Sequence, residues 1–251
     1  MATKTDDVFR DFEQFKATRK RKFSPKRIRH ACEESLKRLR TDRIDLFQVH
    51  YPEISAVEYD DLYAILKKLR RQGKILSWGG VFGPETGQLE EAKLLIRLRR
   101  PATVQMNFNL IEMEPGVEFI ENAVKKKVGV LAAVPHCNQI LSQGDLWETN
   151  SAWRRPTEQW FQKKALQAKR YDFLTAKGIR TLAQAALKFT LSSPAVVAAM
   201  TDIYDEEQLN EYVTVSEKKN LTVDEISKVY ALYQRETVPK ALDSHEQILE
   251  S

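Results

Sequence analysis

The side chains in this sequence best suited to moving protons are two histidines, each placed where a predicted strand stops. His50 closes the apolar run Ile44, Leu46, Phe47, Val49 and is followed by Tyr51-Pro52. His136 follows Pro135 at the end of a second apolar run, Val128 to Val134. An imidazole titrates near neutrality and serves as general acid, general base or metal ligand. Glu53, Glu112, Cys137 and Asp202 fall in loops expected at the same ends of the strands. Two histidines with carboxylates nearby suit acid–base chemistry without a cofactor, or a metal site. The spacing matches no local metal motif, so no metal is expected. Tyr51, Phe82 and His136 are expected to line the pocket into which His50 points.

The elements that must hold these groups read clearly. Ser24-Pro25 is a helix start: the serine caps the first free amides, and proline at the first helical position gives up a donor that has no partner there. Ile28, Ala31, Cys32, Ser35, Leu36 and Leu39 then recur with a period near 3.6, opposite Lys and Arg. The short run Ile44 to Val49 reads as a strand buried on both faces, as in a parallel sheet under helices. The spacing predicts a helix over 55–72 with Val57, Leu62, Ile65, Leu66 and Leu69 inward, ended by Gly73. Further strands are expected at Ile75 to Val81, Thr103 to Met106, Val128 to Val134 and Val196 to Met200. Helices are expected over 86–99, Val117 to Lys127, Thr181 to Ser192, Asp205 to Ser216 and 222–237. Residues 5–22 read as a polar loop or frayed helix, and 136–177 as a long excursion of the kind that is usually functional.

Strand and helix alternate throughout, so residues 1–237 read as one α/β domain, with 238–251 as a C-terminal tail. A histidine at the C-terminal end of a parallel strand is where a (β/α) barrel keeps its chemistry. At 251 residues, 42% hydrophobic and 30% charged, the chain fits a soluble globular protein with a real core. No apolar run approaches the roughly 18 residues a membrane span needs, and the start MATKTDD lacks a signal peptide's apolar stretch. Two cysteines give no disulfide framework and point to a reducing cytosol, so a cytoplasmic location is expected. The net charge is +5, but the basic residues mostly share helix faces with acids, so nucleic acid is not the expected partner.

The run SLKRLRTDRIDLFQVHYP resembles the aldo-keto reductase signature, a Ser-Leu-x-x-Leu helix followed by Asp-Leu-x-x-x-His-x-Pro. The resemblance continues through QGKILSWGGV, VQMNFNLIE, GVLAAVP, TLAQAALKFTLSSPAV and DEEQLNE, from residue 1 to about 230. It implies an oxidoreductase of small carbonyl compounds that takes hydride from NADP or NAD. It matches His50 and Lys4 to the catalytic histidine and lysine, and Gln105 to the glutamine that holds the nicotinamide amide, with Asn107 and Phe108 continuing that motif. Departures are as informative. The family's Gly-Val-Ser-Asn reads Gly79-Gly80-Val81-Phe82, and its nicotinamide-stacking aromatic reads Ala133. The turn whose basic residue binds the 2′-phosphate carries Asp202, which suits the free ribose hydroxyls of NAD.

The resemblance also places Lys4 at the end of the family's third strand. The first two βα units, with the family's aspartate and tyrosine, then have no counterpart ahead of it, as in an N-terminally truncated relative. The expected fold is therefore an incomplete or modified (β/α)8 TIM barrel of about six βα units. Strand edges left without partners are costly. A narrower barrel, cover from residues 5–22 or the tail, or pairing of two copies as a homo-oligomer would each relieve them, and the last two are favoured. Two further functions stay open beside the reductase. One is a non-redox barrel, a pseudoenzyme or cofactor-independent acid–base lyase working around His50 and His136. The other is a non-catalytic interaction subunit.

Overall fold

The computed structural model describes residues 2–4, 23–83, 88–114, 116–142 and 158–237. The readings made for 5–22, for the middle of the 136–177 excursion and for the tail lie outside these residues. The described chain packs as two compact units. The first is Met1–Asn107, Glu114–Ala133 and Pro194–Ala198; the second is Phe108–Met113, Val134–Ser193 and Ala199–Ser251.

The first unit is built on a sheet whose strands run β1 (Ala2–Lys4), β2 (Ile44–His50), β3 (Ile75–Val81), β4 (Thr103–Asn107), β5 (Gly129–Ala133) and β6 (Val196–Met200), the last with only its first three residues in this unit. They lie side by side in sequence order. The pairs from β1 to β5 are parallel. A doubly wound sheet reverses its order at a switch point; an order that never reverses is the winding of a (β/α) barrel. In register, Lys4 faces Gln48, Gln48 faces Gly79, and Gly79 faces Thr103. Two residues further on, His50 faces Val81 and Val81 faces Gln105.

The helices of this unit follow from their apolar spacing. Helix α1 (Pro25–Leu39) starts as expected, with the Ser24 hydroxyl accepting from Arg27 N–H at 3.4 Å, and buries Ile28, Cys32 and Ser35. It ends on Arg40, whose φ of 52° turns the chain back so that Thr41 N–H reaches Leu36 O at 3.2 Å. Helix α4 (Leu89–Arg99) buries Ala92, Leu95 and Ile96, and α5 (Gly116–Lys126) buries Phe119, Ile120 and Ala123. Each large side chain so buried contributes about 1.5–3 kcal/mol.

The helix expected over 55–72 is two. Short α2 (Ile54–Glu58) stops at Tyr59, whose extended backbone separates it from α3 (Asp60–Arg71). The cause lies about forty residues away. Arg99 donates Nε to Val57 O at 2.8 Å, Nη2 to Glu58 O at 2.7 Å and Nη1 to the Asp60 carboxylate at 2.6 Å. Carbonyls that an unbroken helix would satisfy internally are instead held by one guanidinium, which also stacks 4.3 Å from the Tyr63 ring. The apolar positions still point inward, for Val57, Leu62, Ile65, Leu66 and Leu69 are all buried.

The second unit carries α6 (Glu158–Lys169), the 3-10 turn Asp172–Gly178, α7 (Leu182–Ser192), α8 (Glu206–Val213) and α9 (Val223–Thr237). Helix α7 opens on a capping box, Thr181 Oγ1 accepting from Gln184 N–H while Gln184 Oε1 accepts from Thr181 N–H. Ala183, Leu187, Tyr212 and Val215 form a buried cluster. Arg180, also buried, donates to Leu174 O and Lys219 O and pairs with Glu225. Among the described residues no helix is long and apolar enough to cross a membrane.

Candidate active site

The strands β1 to β4 bring six of the singled-out residues into one unit: Lys4, His50, Tyr51, Phe82, Gln105 and Asn107. His50 is the last residue of β2 and half-buried. Tyr51 then takes a left-handed backbone, φ 51°, which is a strained choice for a bulky residue. The turn is held from two sides. Tyr51 N–H donates to Val81 O at 2.9 Å, and the phenol ring stacks on the His50 imidazole with centroids 4.0 Å apart and planes at 24°. Gly83 makes room for that ring, since a Cβ there would stand 3.2 Å from it.

Across β3 stands Gln105. It is only 7% exposed, and its Oε1 has no hydrogen-bond partner in the protein. A buried acceptor left unpaired costs about 1–3 kcal/mol, so it calls for an explanation. Asn107 ends β4 in register with Ala133 and is half-buried. Phe82 N–H donates to Gln105 O at 2.9 Å, continuing the ladder one residue past β3. Its buried ring lies on the helix side of the sheet: a Cβ on Gly80 would meet Leu95 at 2.6 Å and the Phe82 ring at 3.0 Å. Lys4 ends β1 opposite Gln48, while its side chain lies outside the described atoms.

His136 and Asp202 belong to the second unit. His136 is 2% exposed, and its Nε2 lies 3.3 Å from Ala183 O, which fixes the ring proton on Nε2. The ring packs against Tyr212 at 4.5 Å. Burial pushes its pKa down to about 4, so it is neutral at physiological pH. Cys137 is buried too, its thiol pushed well up by desolvation and then by Glu112; thiolate chemistry is not what this site offers. Glu112 in turn pairs with Lys164 at 3.5 Å.

Left-handed backbones at Val134, Cys137, Asn138 and Gln139 fold the segment after β5 tightly. Gln139 ties it to the loop after β6, donating Nε2 to Asp202 O at 3.1 Å and accepting from Gln208 Nε2 at 3.3 Å. The Asp202 side chain itself is exposed. Among the described residues no cluster of His, Cys, Asp and Glu is arranged to hold a metal ion.

One residue of the first unit was not singled out by the sequence. Gln48 is 1% exposed with its Nε2 unpartnered, in the middle of a strand that reads as apolar. The available signal was its position two residues before His50, which puts both side chains on one face of β2.

Comparison with known proteins bears on the family and the fold. The sequence model described as "Aldo/keto reductase family" matches residues 1–234. An uncharacterized oxidoreductase of Bacillus subtilis, YqkF, is 23% identical over 218 residues, covering 87% of this chain and 65% of the relative. An aldo-keto reductase of Babesia bovis is 26% identical over 232 residues, covering 78% of this chain and 81% of its own. Among solved structures, the holo form of aldo-keto reductase AKR11C1 from Bacillus halodurans superposes with a TM-score of 0.67 at 20% identity, over 83% of this chain and 65% of that one. The chain thus spans 65% of the length of YqkF and of AKR11C1.

Proposed function

This chain belongs to the aldo/keto reductase family, and from that premise we propose that it acts as an NAD(P)H-dependent oxidoreductase of small carbonyl compounds at the β2–β4 strand ends. The observation that carries the reading is the unpaired Gln105 Oε1, buried two strands from His50 in the same register row. A carboxamide N–H is the complement of such an acceptor, so the residues present fit a nicotinamide. The dinucleotide supplies hydride when bound. Gln105 and Asn107 hold and orient its amide. A ring N–H of His50 hydrogen-bonds the carbonyl oxygen of the substrate, and the proton that completes the alcohol reaches that oxygen through the same contact. Tyr51, stacked on the imidazole, fixes the plane of the ring.

Asp202 bears on which dinucleotide is taken. By the resemblance, Asp202 stands in the turn that binds the 2′-phosphate; a carboxylate in that turn repels such a phosphate and suits free hydroxyls, so NADH is the expected donor. Titration of tryptophan fluorescence with NADH and NADPH, followed by turnover of simple aldehydes, tests the whole reading. Binding of NADH with consumption coupled to aldehyde is the expected result. No binding of either dinucleotide at millimolar concentration would leave the rivals, a non-redox barrel or an interaction subunit.

A further inference from the structure

Among the described residues of the first unit five buried side-chain polar atoms have no partner in the protein; Tyr63 Oη and Glu91 Oε2 lie on helices, and the other three, Gln48 Nε2, Thr103 Oγ1 and Gln105 Oε1, lie on the strands. They share one face of the sheet. Gln48, Gly79 and Thr103 are register partners on β2, β3 and β4, and Gln105 lies two residues beyond Thr103 on the same strand. Gly79 is what leaves the Thr103 hydroxyl room. A Cβ there would stand 2.5 Å from Thr103 Oγ1 and 2.6 Å from Thr103 O. A side chain in the middle of this row would thus collide with the Thr103 hydroxyl. The row above, His50–Val81–Gln105, closes over it, and Val81 is buried.

The chemistry of the orphans is complementary. Gln48 Nε2 can only donate, Gln105 Oε1 can only accept, and the Thr103 hydroxyl can do either. A sheet of this kind ordinarily leaves few buried groups unsatisfied, and three together on one face are not what packing alone selects. We propose that Gln48 is a positioning residue for Gln105: its amide donates to a bridging water that is held by Thr103 and shared with one lone pair of Gln105 Oε1, which leaves the second lone pair for a ligand amide and sets the plane in which Gln105 meets its ligand. Gly79 matters for this, because a Cβ at that position would collide with Thr103 Oγ1. The proposal rests on the nicotinamide reading of Gln105 for its consequence, though not for the pairing itself.

The test uses the full chain and the isosteric apolar variants Q48M and Q105M, singly and together. Side-chain amide resonances of Gln105, identified by their absence in Q105M, are compared between wild type and Q48M. Dissociation constants for NADH are measured for all four proteins. The proposal expects the Gln105 amide signals to move in Q48M. It expects Q48M to weaken NADH about tenfold in the wild-type background and to add nothing further once Gln105 is Met. Equal loss in both backgrounds, or no loss, overturns it. So do Gln105 signals that stay in place. If no protein in the set binds NADH, the amide signals alone decide: their movement upholds the pairing while the cofactor reading falls, and their constancy sinks the pairing. G79A serves as a second variant, expected to reproduce the Q48M shift because its methyl would collide with Thr103 Oγ1, which holds the water.

Discussion

His50 and His136 each follow a parallel strand, and each lies against a tyrosine ring, Tyr51 at 4.0 Å and Tyr212 at 4.5 Å. There the likeness ends. His50 is half-buried, at the strand terminus itself, with a strained neighbour turned back over it. His136 is 2% exposed, bonded through Nε2 to Ala183 O and held neutral by burial. A strand end brings a residue to the face where barrels do chemistry, but the first turn beyond it decides whether solvent and ligand can reach the ring. After β2 that turn is one residue long and leaves the imidazole reachable. After β5 one left-handed residue, Val134, comes before the imidazole and three more follow it, and the ring is buried.

The difference can be broken in several ways. The largest effect expected is on turnover: H50N should lower kcat/KM for a simple aldehyde by about 10²–10⁴-fold with the thermal midpoint nearly unchanged, whereas H136N should do the reverse. A loss of activity in H136N at full stability would overturn the contrast. Second is acid stability. In the unfolded chain an imidazole protonates near 6.5, whereas buried His136 does so at about 4. Between those values the unfolded chain holds the extra proton, so stability rises with pH there and is lost as pH falls from about 6.5 to about 4. The full loss corresponds to about 3 kcal/mol. Urea denaturation across that range should show it, and H136Q should flatten the profile. Third, Y51G removes both the ring stack and the left-handed strain. Its stability should therefore change by less than about 1 kcal/mol while kcat/KM drops about tenfold; a Y51F variant that behaves like Y51G would mean the hydroxyl, not the stack, matters. The smallest effect is expected from Q139A, which cuts the tie to Asp202 O and should lower stability by about 1 kcal/mol, read as a fall of a few degrees in thermal midpoint.

Much of the fold was legible because it is local. Ser24 and Pro25 start α1 as their chemistry dictates, Gly73 ends α3 with φ 72°, and the inward residues of 55–72 are the buried ones. The interruption at Tyr59 was not legible, since nothing nearby encodes it; the arginine responsible is forty residues downstream. Helix α6 lay hidden in the 136–177 excursion because its segment, EQWFQKKALQAK, has little apolar periodicity. At the site, the sequence singled out His50 and Tyr51 by their place at a strand end, and Gln105 by its match to the family's glutamine. It missed Gln48 because one amide in an apolar run looks incidental until the register sets it opposite Gly79. His136 was overread for the opposite reason: an imidazole after a strand looks available until its burial is known.

The Arg99 clasp bears on the order in which the chain assembles. Helices α2 and α3 draw on neighbouring residues, whereas the break between them is held by the guanidinium of Arg99, which belongs to α4. Such long-range contacts form late on the way to the native state. Removing this one in R99M should leave the folding rate nearly untouched and instead speed unfolding, which would make that corner of the first unit the latch that sets how long the native state lasts.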